Sequence, residues 1–222
     1  MGFIVAIDGP AGSGKGTIAK LLGEKLNLVN IDTGAMYRCI ALQMLRENIG
    51  LDEENKIKDV LDKTDIILKS EENEYKVYLN GEDVSLAIRT EEVSNFVSPM
   101  SKLQIIRDKL IDLQRKTAEN ADIVMEGRDI GTNVFPNADV KIYLDATPEE
   151  RARRRVKQNI EKGLESEYKT VLEDIKARDY RDSTREIAPL KKADDAVYLD
   201  STNLTIEEVV EKAIEIINTK RK

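Results

Sequence analysis

A glycine-rich segment containing one lysine stands between a short apolar run and a helical pattern. Glycines let backbone N–H groups turn toward phosphate oxygens, and the amino terminus of the following helix adds partial positive charge. Lys15 supplies a mobile charge for β- and γ-phosphates, and Thr17 offers a hydroxyl near a magnesium ion. The segment therefore predicts a loop that binds the β- and γ-phosphates of a nucleoside triphosphate such as ATP. Its residues are Gly9, Pro10, Ala11, Gly12, Ser13, Gly14, Lys15, Gly16 and Thr17.

One position departs from the usual pattern of phosphate loops. Gly16 follows Lys15, so Thr17 stands one place later than the usual Ser or Thr. The alternative is a glycine-rich turn that contains a lysine by accident. The apolar run before the segment and the helical pattern after it favour the phosphate loop.

Several arginines are candidates for binding phosphate, because the planar guanidinium group can contact a phosphate through two hydrogen bonds. The three arginines between residues 178 and 185 are spaced three and four apart and would share a face of a helix. The alternative is that they pair with Asp179 and Asp182 on a solvated surface. The candidates are Arg38, Arg128, Arg178 and Arg185, and the helical set is Arg178, Arg181 and Arg185.

Two carboxylates stand at the ends of predicted strands. Glu126 ends a predicted central strand, where an acidic residue could orient the water molecules around magnesium. The alternative is an ordinary carboxylate at a strand end. Asp8 directly follows the first strand, and its role could be confined to ordering the loop.

Composition excludes several kinds of chemistry. The 222 residues include 35 Lys and Arg, 42 Asp and Glu, one cysteine and no histidine, which gives a formal charge of −7. A disulfide framework, a cysteine metal cage, a histidine-ligated zinc and a histidine base are therefore excluded. A net-acidic protein does not attract nucleic acid or anionic membrane over its whole surface, so a site for a polyanion must be a local basic cluster. Since the apolar amino terminus lacks a basic lead and no apolar run could span a membrane, we expect a cytoplasmic enzyme.

Strand and helix patterns alternate along most of the chain. Five short apolar runs predict strands, and helical spacing follows at 15–26 and 36–46. Capping boxes at Thr147 and Thr205 predict the starts of two further helices. The alternation predicts an α/β fold with a doubly wound, mostly parallel five-stranded sheet. The predicted strands are 3–7, 28–31, 123–125, 140–144 and 196–199.

Between residues 65 and 84 the alternation is interrupted by short β-runs. Asn80-Gly81 is a signal for a hairpin turn, because a type I′ turn needs positive φ at both central residues. A hairpin does not fit inside a parallel sheet. We therefore expect an inserted subdomain over 51–99 and a second, charged insertion over 151–168.

Four segments together resemble the bacterial cytidylate kinase family of P-loop nucleoside monophosphate kinases over essentially the whole chain. The phosphate loop alone is shared by many proteins, whereas the four in this order are much more restrictive. Besides the Gly-Lys-Gly-Thr ending of the loop, they are Asp32-Thr33-Gly34-Ala35-Met36-Tyr37-Arg38, Glu126-Gly127-Arg128-Asp129-Ile130-Gly131-Thr132 and Arg178-Asp179-Tyr180-Arg181-Asp182-Ser183-Thr184-Arg185.

The resemblance implies a role for individual residues in binding the phosphate acceptor. Thr33, Arg38 and Arg128 match contacts to the acceptor site and its phosphate. Arg178 and Asp182 match positions near the ribose and the transferring phosphoryl group. Contacts to the cytosine base match Ser98, Arg107, Asp129 and Arg185.

The resemblance also implies ATP-dependent phosphorylation of CMP and dCMP, with Mg²⁺ bound through Thr17 and, through water, Glu126. The substrates would be small molecules, with no nucleic acid or membrane partner, and we expect a monomer. The alternatives are a kinase for UMP or AMP on the same scaffold, or a P-loop switch or hydrolase.

The resemblance divides the chain into a P-loop kinase core with two insertions. The insertion over 51–99 would be the monophosphate-binding subdomain, and 151–168 a short helical lid. In the lid, Arg151, Arg154 and Arg155 would share a face and close over ATP, with Arg154 a contact to it. The basic run has two alternatives: a solvated helix, or a nucleic-acid patch, which it fits poorly because it lacks interleaved aromatic residues. The core would comprise 1–50, 100–150 and 169–222.

Overall fold

The computed structural model describes residues 2–71, 74–119, 121–161 and 163–221. They form two compact units, one made of the chain up to Ile31 together with the chain from Ala118 onward, the other made of Asp32–Thr117. Residues 72 and 73 of the predicted insertion, residue 162 of the predicted lid and residues 1, 120 and 222 of the predicted core lie outside the described residues.

The helices and strands have the following bounds in chain order. They are β1 (Ile4–Asp8), α1 (Lys15–Leu26), β2 (Val29–Asp32), α2 (Thr33–Arg46), α3 (Glu54–Lys63), β3 (Ile66–Glu71), β4 (Glu74–Leu79), β5 (Glu82–Asp83), a 3-10 turn (Ala87–Arg89), α4 (Glu91–Met100), α5 (Gln104–Thr117), β6 (Ile123–Gly127), a π-helical turn (Ile130–Val134), β7 (Val140–Asp145), α6 (Pro148–Glu161), α7 (Tyr168–Thr184), β8 (Val197–Asp200) and α8 (Ile206–Asn218).

The first unit is built on a sheet whose strands lie in the order β2, β6, β1, β7, β8. β1 pairs in parallel with β6 and with β7, and β7 pairs in parallel with β8. Val5 and Ile7 of β1 are fully buried, as expected for the central strand of a sheet that is covered on both faces. The predicted five-stranded α/β sheet is confirmed, and all five predicted strands are present.

Helices α1 and α8 contribute side chains to the core of this sheet. Leu22 of α1 and Val210 of α8 pack in one buried cluster with Ile7, Val124 and Ile142. The predicted capping box starts α8: Thr205 Oγ1 accepts a hydrogen bond from Glu208 N at 3.2 Å, and the Glu208 carboxylate accepts one from Thr205 N at 2.8 Å. Among the helices of the described residues, none is both long and apolar enough to cross a lipid bilayer.

The register of the sheet brings two functional segments together. Asp8, the last residue of β1, lies opposite Gly127, the last residue of β6. The phosphate loop and the segment that begins with Arg128 therefore leave the sheet side by side at the carboxyl ends of its strands. In open α/β sheets, ligands bind at this edge.

The second unit combines helices with an antiparallel sheet in the order β3, β4, β5. Asn80 and Gly81 connect β4 and β5 with φ angles of 51° and 85°, the two positive values that a type I′ turn requires. The predicted hairpin turn is confirmed. Cys39 of α2 packs in a buried cluster with Val77 and Leu79 of the hairpin.

This compact unit is longer than the insertion expected over 51–99. Helix α2 contacts α3 and α4, and α5 contacts α2 and α3, so helices on both sides of residues 51–99 belong to the same unit. The division into a core, a monophosphate-binding insertion and a lid concerns the way in which the protein handles its substrates, and it stays a prediction.

Candidate active site

Lys15 is turned back over the phosphate loop that precedes it. Only 4% of the residue is exposed. Its Nζ donates a hydrogen bond to Pro10 O at 2.8 Å and lies 3.5 Å from Ser13 Oγ. The loop between β1 and α1 therefore holds an ammonium group at its centre, as a phosphate-binding loop requires.

The electrostatic surroundings of Lys15 indicate that several cations converge on the loop. Burial, together with the positive charges of Arg128 and Arg178, lowers the pKa of Lys15 to about 7, whereas Glu126 and Asp8 act in the opposite direction. A cluster of cations that repel one another in a buried place favours the binding of an anion. Three of the predicted site residues are thus brought together.

Arg128 is held by an acidic residue of α7. Its Nε donates a hydrogen bond to Asp182 Oδ2 at 3.1 Å, and its Nη1 lies 3.4 Å from Gly127 O. Asp182 is four residues after Arg178 on α7, so the helix presents both on one side. Arg181, three residues after Arg178, is exposed, and α7 ends before Arg185. The helix therefore carries two of the three arginines, and their shared role in binding phosphate stays a prediction.

Asp129 and Arg185 form a buried ion pair. Arg185 Nη2 lies 3.3 Å from Asp129 Oδ1, and their side chains are 6% and 9% exposed. Arg185 Nε also donates to Ala188 O at 2.7 Å, and Asp129 accepts from Asn133 Nδ2 at 3.2 Å. Both charged groups keep a fixed orientation next to Arg128.

Glu126 lies against the first turn of α1. A Cβ atom placed on Gly16 would lie 3.2 Å from Glu126 Oε1, so the glycine that departs from the usual loop pattern leaves room for this carboxylate. Thr17, one residue further, is exposed.

Across the described ranges, no three acidic, histidine or cysteine side chains gather to hold a metal by themselves. Mg²⁺ in phosphoryl-transfer sites needs only one or two protein oxygens besides substrate phosphates, so the donor set fits this ion.

Arg151 is buried against the phosphate loop and does not lie on an exposed lid face. It is 3% exposed, and it donates to Ala146 O at 2.8 Å, to Ala11 O of the phosphate loop at 3.1 Å, and to both carboxylate oxygens of Asp179. Arg154 donates to Ser201 O at 2.6 Å and to Glu150, while Arg155 is exposed. The expectation that Arg151, Arg154 and Arg155 share a face over ATP is therefore wrong for Arg151, which holds the phosphate loop through its hydrogen bond to Ala11 O. The role of Arg154 toward ATP stays a prediction.

Four predicted acceptor residues belong to the second unit. Thr33 is the first residue of α2 and is 4% exposed. Arg38, one turn later, donates to Asp32 Oδ2 at 2.9 Å, and Asp32 also caps the helix by accepting from Ala35 N at 2.8 Å. The remaining two lie on separate helices: Ser98 on α4, which continues through Pro99 to Met100, and Arg107, 1% exposed, on α5.

Two contributors to the site were not identified as such from the sequence. Arg151 was predicted only as a lid residue, and Asp179 only as a partner for surface arginines. The sequence shows that Arg151 and Asp179 carry opposite charges, but 28 positions of sequence separate them. Sequence spacing does not indicate contacts over that separation.

The fold and the phosphate loop place this chain among the P-loop kinases. The family model described as cytidylate kinase matches residues 5–219. The curated cytidylate kinase of Lactobacillus gasseri is 51% identical over 218 residues, which cover 98% of this chain and 95% of that protein. The cytidylate kinase of Caldicellulosiruptor saccharolyticus is 52% identical over 212 residues, 96% of this chain and 94% of that protein.

A crystal structure of an uncharacterised protein from Eubacterium ventriosum shares the fold. It covers 98% of this chain and 99% of its own, with a TM-score of 0.54 and 15% identity. This likeness concerns the fold alone. On the family model and the curated relatives, the chain belongs to the cytidylate kinase family, and the resemblance inferred from the four segments is confirmed.

Proposed function

We propose that the protein transfers the γ-phosphoryl group of ATP to CMP or dCMP and releases ADP with CDP or dCDP. Family membership supports this activity. The observation that carries it is the place of Lys15, buried in the phosphate loop beside the segment of Arg128 at the same edge of the sheet. Arg128 and Arg178 both lower the pKa of this lysine. Such a cluster suits a reaction that brings two polyanions together.

Each cation has a separate task in this reaction. Lys15 and the amides of the phosphate loop bind the β- and γ-phosphates, while Arg128 and Arg178 neutralise the acceptor phosphate and the transferring group. The acceptor phosphate has a second pKa of about 6 and is already a dianion near neutral pH. The chain therefore needs no general base, and the lack of histidine is no obstacle.

The family resemblance assigns the contacts to the acceptor nucleotide residue by residue. Thr33 and Arg38 contact the monophosphate end, and Asp182 lies near the ribose. Cytosine presents an exocyclic amine and a carbonyl, which require hydrogen-bond acceptors and donors together. Ser98, Arg107, Asp129 and Arg185 supply both kinds of group.

Thr17 and Glu126 would hold Mg²⁺, the latter through water. The bound ion supplies charge neutralisation on the ATP phosphates. Thr17 contributes a hydroxyl at the start of α1, and Glu126 orients water molecules from the end of β6. Neither residue exchanges a proton with the acceptor.

We further expect a cytoplasmic monomer that acts on small molecules without nucleic acid or membrane. The segment 151–168 acts as a lid that excludes water, an unwanted acceptor of the phosphoryl group. The segment 51–99 contributes to binding the monophosphate, and the remaining residues form the core.

An assay of ADP release across acceptors tests the proposal, with CMP, dCMP, UMP and AMP compared at equal concentration and Lys15→Ala as the blank. Turnover should be fastest with CMP and dCMP and negligible with ATP alone. Faster turnover with UMP or AMP would assign another acceptor. ADP release without any acceptor would identify a hydrolase or switch.

A further inference from the structure

The carboxylate of Asp8 holds the segment that carries Arg128 and Asp129. Asp8 ends β1 and is 5% exposed. Its Oδ1 accepts a hydrogen bond from Ile130 N at 2.7 Å, and its Oδ2 accepts one from Gly131 N at 2.7 Å. These N–H groups open the π-helical turn, and the first N–H groups of a helical turn have no partners inside it. One buried side chain of a neighbouring strand therefore satisfies two of them.

This contact fixes the turn from its first residues. Asp129 O accepts from Asn133 N at 2.9 Å and from Val134 N at 3.2 Å, which closes the turn behind the two N–H groups. Arg128 and Asp129 are the two residues between the end of β6 and this anchored turn. Their backbone is thus held at both ends, by the sheet on one side and by Asp8 on the other.

We infer that Asp8 is a positioning residue for the acceptor nucleotide, which acts by holding Arg128 and Asp129 rather than by touching either substrate. This inference rests on the proposed function, in which those two residues contact the acceptor. It goes beyond ordering the phosphate loop, the only role that its place after β1 indicates.

A carboxylate is the group that this place requires. Both of its oxygens are occupied by N–H donors, whereas an amide side chain offers one acceptor and would point its own N–H₂ at the second donor. The turn packs closely against this carboxylate, since a Cβ atom on Gly131 would lie 3.3 Å from Asp8 Oδ2 and 3.1 Å from Lys141 Cδ. Burial raises the pKa of Asp8 to about 6, against the effect of the two hydrogen bonds, so the ionised form is held here at a cost.

The other end of the same strand offers a control, at an exposed aspartate. Asp139 Oδ2 accepts a hydrogen bond from Ile4 N at 2.7 Å, so it too joins a carboxylate to a backbone N–H at an end of β1. Asp139 lies at the amino end of the strand, away from the phosphate loop and from Arg128. Asp139→Asn keeps an acceptor oxygen for Ile4 N and removes only the charge, so it reports what the loss of a carboxylate charge at an end of β1 does to the protein in general.

The test compares Asp8→Asn with Asp139→Asn in the full chain. We expect Asp8→Asn to lower kcat/KM for CMP by about 10- to 100-fold, because small displacements of positioned groups have effects of this size. The Kd of a non-hydrolysable ATP analogue should change clearly less than kcat/KM for CMP at the same pH, since Asp8 affects the ATP site through the pKa of Lys15. Asp139→Asn should leave both quantities near the wild-type values. Equal losses in the two variants, or a weakening of the ATP analogue as large as the loss with CMP, would overturn the inference.

A double-mutant cycle separates positioning from a general structural effect. If Asp8 acts by holding Arg128 and Asp129, adding Asp8→Asn to Arg128→Ala should reduce kcat/KM for CMP by a smaller factor than Asp8→Asn does in the wild type, because coupled residues are not additive. Multiplicative losses would contradict the inference.

Should Asp8→Asn not fold, Gly131→Ala perturbs the same contact from the turn, and a folded Gly131→Ala enzyme with wild-type kcat/KM would overturn the inference. Failure of the proposed function is distinguishable, since the wild-type protein itself would then not phosphorylate CMP.

Discussion

The guanidinium group of Arg128 is anchored through its Nε, which donates to Asp182 Oδ2 at 3.1 Å. This contact joins the segment after β6 to the last turns of α7 and fixes the plane of the guanidinium. A planar group held in this way can present its remaining donors to a phosphate in a defined direction.

Arg128→Lys keeps the charge but loses the planar fork. We expect kcat with CMP to fall by about 100-fold, a loss typical of removing one donor that stabilises transition-state charge. Asp182→Asn, which keeps an acceptor oxygen for Nε, should have a smaller effect. Steady-state kinetics measures the losses, and an unchanged melting temperature shows that the fold is intact. A full-rate Arg128→Ala enzyme would contradict the assignment.

Replacing Lys15 should separate activity from stability. Lys15→Met should lower kcat by at least about 100-fold, because the loop loses its charge for the β- and γ-phosphates. It should not destabilise the protein at neutral pH, because burial disfavours the ammonium form in the folded state. Denaturant unfolding measures this difference. A Lys15→Met protein that is both inactive and strongly destabilised would indicate a structural role for the ammonium group.

The same pKa sets a dependence of stability on pH. Folding lowers the pKa of Lys15 from 10.5 to about 7, so between these values the unfolded chain binds a proton that the folded protein has lost. The contribution of this group to the stability should therefore increase as pH rises from 7 toward 10.5. The difference in unfolding free energy between wild type and Lys15→Met should change with pH in that window. A constant difference would show that Lys15 keeps an ordinary pKa in the folded protein.

Binding of ATP should depend on pH for the same reason. The phosphates need the ammonium form of Lys15, so the free protein must take up a proton on binding wherever the lysine has lost it. Between pH 7.5 and 9, where the terminal phosphate is already ionised, the affinity for a non-hydrolysable ATP analogue should fall, by at most about tenfold per pH unit. Isothermal titration calorimetry in two buffers of different ionisation enthalpy would detect the proton. Lys15→Met should show a flatter profile, and identical profiles would disprove this explanation.

Local signals in the sequence were sufficient to predict much of the fold. The apolar run before Gly9, the turn at Asn80-Gly81 and the capping box of Thr205 with Glu208 each depend on residues a few positions apart, and the structure contains all three. In these places intrinsic preference and tertiary packing agree.

The environment of charged residues was less predictable. Arg151 and Arg155 belong to one basic run, yet one is buried beneath the phosphate loop and the other is exposed. The difference depends on Ala11 O, 140 positions away, and periodicity carries no information about such a partner. Asp8 illustrates the same point, because its two N–H donors lie 122 and 123 positions further along the chain.

Arg151 should be required for the stability of the phosphate loop. Arg151→Lys cannot reproduce hydrogen bonds to Ala11 O, Ala146 O and Asp179 at once, so the protein should lose about 2 kcal/mol or more of stability, with weaker binding of ATP. Arg153→Lys is the control, since its side chain is 71% exposed on the same helix. Thermal unfolding with and without an ATP analogue measures both effects. If both variants unfold at the wild-type temperature, the contacts of Arg151 do not stabilise the loop.

The buried pair of Arg185 and Asp129 should matter for the choice of acceptor. Arg185→Ala and Asp129→Ala each remove one base contact of the proposed site and leave the other charge without its partner in a buried place, which is destabilising. We expect each to raise KM for CMP and to reduce the preference for CMP over UMP by about tenfold or more, the scale of losing hydrogen bonds to a base. Arg181→Ala, at an exposed residue of α7, should keep both values.

The double variant Arg185→Gln with Asp129→Asn carries neither charge, so it should be more stable than either alanine variant, while its preference for CMP over UMP stays reduced. If both alanine variants kept the wild-type ratio of kcat/KM for CMP and UMP, the pair would have no part in recognising the base.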